Sequence, residues 1–230
     1  TRAVTGDPGM IVITGASEGL GEALAKHYKQ AGKKVVNVSR KKCEYADIDI
    51  CISLREGPDI QKIAQAIDAL DDPLEAIVHN AAVASIQPMG EIEESEIKRL
   101  MSTNVKPQIL LTSYLFERIK KDATDIMCVS STLGIRGRKD WAVYTASKWA
   151  VRGLAQSLQD EFADLPNRVI SFVPGGMASK NVENFNGEKL KDPENWMKVE
   201  DVALLMKQIL DLPKNMQVTE IIVDKKVPTK

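Results

Sequence analysis

A buried strand that runs straight into a glycine-rich turn and then a helix narrows most what this chain can fold into. Met10 to Thr14 (MIVIT) is a short apolar run, followed at once by Gly15-Ala16-Ser17-Glu18-Gly19-Leu20-Gly21 and a helical pattern with Leu24, Ala25 and Tyr28. That order is the layout that holds a nucleotide phosphate. Gly15 permits a tight turn, Gly19 lets the backbone approach a pyrophosphate, and Gly21 lets helix pack on strand. The N–H groups of the helix N-terminus then face the anion. The spacing is G-x-x-x-G-x-G, not G-x-G-x-x-G, and such a turn can be merely a turn unless the rest of the chain supports it.

The rest alternates strands and helices, as an α/β doubly wound parallel sheet with helices on both faces requires. Gly32 ends the first helix, and Val35 to Val38 reads as the second strand. A short third strand falls near Ala46 to Ile50, and a helix over Asp59 to Leu70 repeats Ile60, Ile63, Ala64 and Ile67 at three and four. Leu74 to Val78, Asp125 to Ser130, Arg168 to Val173 and Gln217 to Val223 read as further strands. The longest helical stretch, Ser95 to Lys121, should kink at Pro107, whose ring crowds the carbonyl of Thr103. A helix carries Tyr144 and Lys148 and stops by Pro166. The last helix, Val199 to Leu210, is expected to be capped through Glu200 and Asp201. The polar stretch 176–198 reads as a mobile lid over a site. The nine residues before Met10 read as a leader, leaving one domain over 10–230.

Nothing in the composition calls for a different class. The 230 residues are 43% apolar and 27% charged, with a formal net charge of -1, so neither nucleic acid nor a membrane is expected as a partner. No run approaches a membrane span. Cys43, Cys51 and Cys128 are odd in number and fit no metal spacing, which points to a reduced, cytoplasmic chain and to no metal site.

Two stretches suggest the chemistry. After the second strand comes Ser39-Arg40-Lys41-Lys42, where dinucleotide folds read the ribose; a hydroxyl and three cations suit a 2′-phosphate, hence NADP, with NAD possible. The alternative is a solvated charge run. After the fourth strand, small Asn80, Ala81 and Ala82 leave room for a flat ring, while His79 reads as a packed histidine. Tyr144 and Lys148 share one helix face. An ammonium beside a phenol should pull its pKa down toward the working range, making Tyr144 a proton donor or acceptor. Ser131 ends an apolar strand where its hydroxyl could hold a substrate oxygen. Asn104 sits in the turn disturbed by Pro107, where a freed carbonyl could hold a water on a proton path.

Together these residues resemble the short-chain dehydrogenase/reductase family over Met10 to Val223. Thr14 to Gly21 resembles its TGxxxGxG motif, Asn80-Ala81-Ala82 its NAG, Tyr144 to Lys148 its YxxxK, and Pro174-Gly175 its PG turn. The resemblance implies a Rossmann-type sheet and a catalytic set of Asn104, Ser131, Tyr144 and Lys148. In it Tyr144 is the general acid/base, Ser131 polarises the carbonyl, Lys148 lowers the tyrosine pKa and holds the nicotinamide ribose, and Asn104 anchors a water. It further implies that Gly15, Ser17, Glu18, Gly19, Leu20 and Gly21 hold the cofactor with Ser39 and Arg40. Asn80, Ala81 and Ala82 would line the adenosine side, Asp49 cap the adenine, and Pro174, Gly175, Met177 and Ser179 fold over the nicotinamide. Ala82 and Ser179 depart from the family's Gly and Thr. Glu18 stands where NADP-preferring members often carry a cation, which opposes a 2′-phosphate.

The expected function is an NADP-dependent oxidoreductase moving a hydride between nicotinamide and a carbonyl or secondary alcohol. The alternatives are an NAD-dependent alcohol dehydrogenase, a ketone reductase acting on acyl thioesters, and a non-catalytic NADP-binding sensor or interaction protein. Residual apolar faces on the helices from Ser95 and Trp141 point to a homodimer or homotetramer. The basic loop Arg136 to Lys139 could attract an anion but reads first as solvated.

Overall fold

The computed structural model describes residues 9–178 and 195–226. In chain order its elements are β1 (Met10–Thr14), α1 (Gly19–Gln30), β2 (Lys34–Val38), β3 (Ile48–Ile50), α2 (Gly57–Asp68), β4 (Leu74–His79), α3 (Glu94–Asn104), α4 (Lys106–Tyr114) and α5 (Phe116–Asp122). Then follow β5 (Asp125–Val129), α6 (Ala142–Glu161), β6 (Val169–Pro174), β7 (Met177–Ala178), β8 (Met197–Lys198), α7 (Val199–Leu210) and β9 (Glu220–Val223).

Seven strands pair in parallel in the order β3-β2-β1-β4-β5-β6-β9, a Rossmann-type sheet. The order reverses beside β1, where β1 pairs with both β2 and β4, so a crevice opens at the strands' C-terminal ends. β1 is buried on both faces, which is why its sequence is an unbroken apolar run and not an alternation. Ile11 and Ile13 pack with Leu24 and Tyr28 of α1 and Met206 of α7. Met10 and Val12 face the other way, toward Ile60 and Ile63 of α2, Leu111 of α4, Ile119 of α5 and Val151 of α6.

Several boundaries differ from the sequence reading because side chains replace backbone partners. β3 starts at Ile48, not Ala46, since the Asp47 carboxylate accepts the Val35 N–H at 2.9 Å. β9 starts at Glu220, not Gln217, whose amide instead donates to the Val169 carbonyl. The long helical stretch is three helices. Val105 (φ -116°) separates α3 from α4, which places Pro107 in a first turn where no donor is needed. Leu115 separates α4 from α5. α7 begins after Lys198 without a side-chain cap, so Glu200 and Asp201 favour its N-terminus only through the helix dipole. Most of the predicted lid lies outside the described residues. Its two ends pair as β7 and β8, with Met177 opposite Met197.

At the other end of the sheet lies a buried ionic cluster. Asp125 opens β5 and pairs through Oδ2 with Arg168 Nη2 at 2.6 Å and through Oδ1 with Lys214 Nζ at 2.6 Å. The Arg168 guanidinium also donates to the carbonyls of Leu210, Leu212, Pro213 and Met216, tying the end of α7 to the sheet. Among the described residues no helix is long and apolar enough to cross a membrane.

Candidate active site

A cavity of about 880 Å³ runs along the C-terminal ends of the strands. At the β2–β3 end it is lined by Ser39, Arg40, Lys41, Ser53 and Arg55; centrally by Gly15, Ser17, Glu18, Leu20 and Asn80 to Ala82; at the β5–β6 end by Ser131, Tyr144, Lys148, Pro174, Gly175 and Met177. Most of the sequence-predicted residues thus meet in one trough. Ser179 lies outside the described residues.

The glycine turn is built for close approach. Gly15 and Gly19 adopt φ of 71° and 60°, which L side chains rarely take. A Cβ on Gly21 would overlap the Gly15 carbonyl oxygen and come within 2.6 Å of Asn80 Nδ2. Gly19 and Gly21 therefore shape the turn without lining the cavity. Thr14 Oγ1 accepts the N–H groups of Asn80 and Ala81, each at 3.0 Å, and Asn80 Nδ2 donates to the Thr14 carbonyl at 3.1 Å, locking β1 to β4. Glu18 precedes α1 without capping it, so the first helical N–H groups carry no side-chain partner there. This cradle fits a pyrophosphate.

Three expectations need correction. Asp49 does not reach the cavity: opposite Asn37 in the β2–β3 register, its Oδ1 accepts from Asn37 Nδ2 at 2.8 Å and Cys43 N at 2.9 Å. Asn104 is fully buried, and its carbonyl is not left open, because Gln108 Nε2 donates to it at 2.8 Å. Its side chain bonds Val83 N and O and Ser147 Oγ, so Asn104 braces the β4 loop against α6. Finally, burial outweighs the ammonium at Tyr144. Loss of solvent pushes its phenol up to about 12, with only the Ser131 hydroxyl pulling the other way. Lys148 lies 5.7 Å from the Tyr144 ring centroid, and its Nζ is committed to the Val129 carbonyl at 3.0 Å.

Other side chains are settled by local bonds. Ser39 Oγ donates to the Lys41 carbonyl at 2.6 Å, forming its own turn. His79 is buried against Thr112 Oγ1 at 3.0 Å, and burial pushes its pKa down to about 4, so it is a neutral packed histidine. Sequence reasoning missed Gln108, one turn beyond Asn104, and Arg55, which follows the third strand into the crevice. The first could have been found by its four-residue spacing, the second by its position after a crevice strand.

Burial pushes Lys148 down from 10.5 to about 8. Between those values the unfolded chain binds more protons than the folded one, so this residue makes stability rise with pH across that window, and its penalty is full below it. The shift corresponds to roughly 3 kcal/mol, less about 1 kcal/mol for its bond to Val129. Lys148→Met should therefore be more stable than wild type by about 2 kcal/mol at pH 7, with the gain shrinking toward pH 10 in urea titrations. A destabilised variant at pH 7 would refute this.

Comparison with known proteins agrees with this architecture. A short chain dehydrogenase family model matches residues 9–190. An uncharacterized oxidoreductase of Escherichia coli K12, YciK, is 29% identical over 209 residues, covering 82% of each chain. A short-chain dehydrogenase/reductase structure from Vibrio parahaemolyticus superposes with a TM-score of 0.82 at 28% identity, covering 94% of this chain and 100% of its own. The alcohol dehydrogenase of the archaeon Thermococcus sibiricus, solved with 5-hydroxy-NADP, shares the fold with a TM-score of 0.85 at 20% identity, over 97% of this chain and 100% of its own. With the glycine cradle, the crevice and the family match over most of its length, the chain belongs to the short-chain dehydrogenase/reductase family of oxidoreductases.

Proposed function

We propose that the protein is an NADP-dependent oxidoreductase that interconverts a carbonyl and a secondary alcohol, with Tyr144 as general acid/base. The observation that carries this reading is convergence: Ser131, Tyr144 and Lys148 line the same cavity as the glycine cradle. A bound nicotinamide would supply or accept the hydride. The protein's part is to orient and to move a proton. Ser131 Oγ, fixed by the Leu133 N–H at 3.2 Å, holds the substrate oxygen beside the Tyr144 hydroxyl. In reduction that hydroxyl donates its proton to the forming alkoxide; in oxidation the phenolate takes one from the alcohol. Lys148 Nζ, which donates one bond to the Val129 carbonyl at 3.0 Å, keeps further donors for the nicotinamide ribose. Exposed Ile109, Tyr114 and Trp149 on α4 and α6 support assembly from like copies.

The preference for NADP rests on Arg40, Lys41 and Arg55 at the β2–β3 end of the cavity, where a 2′-phosphate would lie. Glu18 lines the same cavity and favours the NAD-dependent reading. Calorimetric titration with NADPH and NADH tests both. A charge-assisted bond contributes ~1.5–3 kcal/mol, so Arg40→Ala should lower the NADPH-over-NADH affinity ratio ~10- to 100-fold. An unchanged ratio removes the phosphate reading, and binding of neither nucleotide removes the function.

A further inference from the structure

The catalytic end of the cavity carries two cations that the hydride-transfer reading does not use. Arg138, on the loop between Ser131 and Tyr144, places its guanidinium carbon 5.4 Å from the centre of the Trp141 ring, and Trp141 meets Tyr144 edge-on at 5.6 Å. Lys225, just past β9, places Nζ 4.1 Å from the centre of the Trp196 ring. All four of these residues line the cavity with Tyr144. The Trp196 ring lies so close over Gly176 that a Cβ there would come within 2.6 Å of it. The only carboxylate among the described residues lining this end, Asp224, is paired with Arg136 at 3.1 Å, a bridge between residues 88 apart. Among the described residues neither Arg138 nor Lys225 has an ion-pair partner. A ring holds each cation in place, and among the described residues no carboxylate compensates its charge and no acceptor takes its side-chain N–H donors.

We infer that this end of the cavity selects a substrate with an anionic group, a carboxylate or phosphate, remote from its reacting carbonyl or alcohol carbon, with Arg138 and Lys225 as the residues that recognise it. A guanidinium presents a fork matched to either oxyanion, and the Trp141 ring sets that fork one ring away from the Tyr144 phenol. The preference concerns binding and orientation. The anion takes no part in the hydride or proton transfer, so deleting its partner should act mainly on KM.

This inference rests on the proposed oxidoreductase activity, and the test separates the two. The whole chain is assayed with matched pairs: 4-oxopentanoate against its methyl ester, and glyceraldehyde 3-phosphate against glyceraldehyde. Calorimetric binding of each probe is measured beside turnover. A charge-assisted contact predicts a preference of ~10-fold or more for the charged member of at least one pair, and the pair that shows it tells carboxylate from phosphate. In Arg138→Gln that charged-over-neutral ratio of kcat/KM should fall ~10-fold, carried by KM, with Arg138→Lys recovering part of it and Lys225→Gln giving a smaller fall. Raising ionic strength should erode the same ratio. Charged and neutral members bound and turned over alike, or an Arg138→Gln variant that lowers both members equally, overturns the inference while leaving the reductase reading standing. Charge-selective binding by a chain that binds no nicotinamide nucleotide supports the inference and overturns the reductase reading.

Discussion

Replacing Tyr144 with phenylalanine lowers kcat by ~10³-fold, within the range general acid–base groups contribute, and leaves nicotinamide nucleotide affinity within about threefold of wild type. The change deletes one hydroxyl and keeps the ring that packs edge-on against Trp141 and under Lys148. The pH profile separates loss of a proton donor from loss of packing. With the wild-type phenol pushed up to about 12, Tyr144 is protonated throughout the neutral range, so reduction is flat there. Oxidation needs the phenolate, whose fraction rises tenfold per pH unit below that value, so its rate climbs through the alkaline range. The phenylalanine variant should lose that climb. Steady-state rates in both directions between pH 6 and 10, with calorimetric binding of the nucleotide, measure this. A variant that retains a tenth of the activity would remove Tyr144 from the chemistry. Nucleotide binding without turnover in wild type and variant alike would favour the non-catalytic sensor.

The second large effect falls at the opposite end of the sheet and concerns stability alone. Asp125→Ala should destabilise the fold by ~3–5 kcal/mol, because it leaves the buried Arg168 guanidinium without its counter-charge. Arg168→Met should lose a comparable amount for a different reason, since it orphans the carbonyls it gathers at the end of α7. The two losses should not add: once Asp125 is gone, removing Arg168 also removes an unpaired charge. Urea unfolding of the single and double variants reads this directly. A single-variant loss under about 1 kcal/mol, or full additivity, would contradict the coupling. The cluster lies at the sheet end away from the cavity, so kcat of the folded fraction should be preserved.

The fold was legible where backbone pattern alone decides it. The runs that became β1 and α7 were read to the residue, because an apolar run before glycines and a three-four apolar repeat after a polar stretch need no side chain to end them. Boundaries slipped where a side chain substitutes for a backbone partner, as Asp47 does for β3 and Gln217 for β9. The break at Leu115 carries no Gly or Pro to announce it. Within the site, the residues that share a strand end or a turn were found together. Asp49 was misassigned because residues alternate along a strand, and its register opposite Asn37 points it into the β2–β3 loop. The expectation for Tyr144 failed because spacing on a helix states proximity but not burial, and burial dominates its titration. Arg138 and Lys225 lie far apart in the chain, so their shared end of the cavity emerges only when β9 joins the edge of the sheet.

The parallel pairing of β7 with β8 clasps two points of the chain that are far apart in sequence. Gly176 O accepts the Met197 N–H at 3.3 Å, so Met177 and Met197 are held side by side. Because that clasp ties the two strands to each other directly, a change in the length of the chain joining them should leave the strand register, the glycine cradle and the Tyr144 helix in their places.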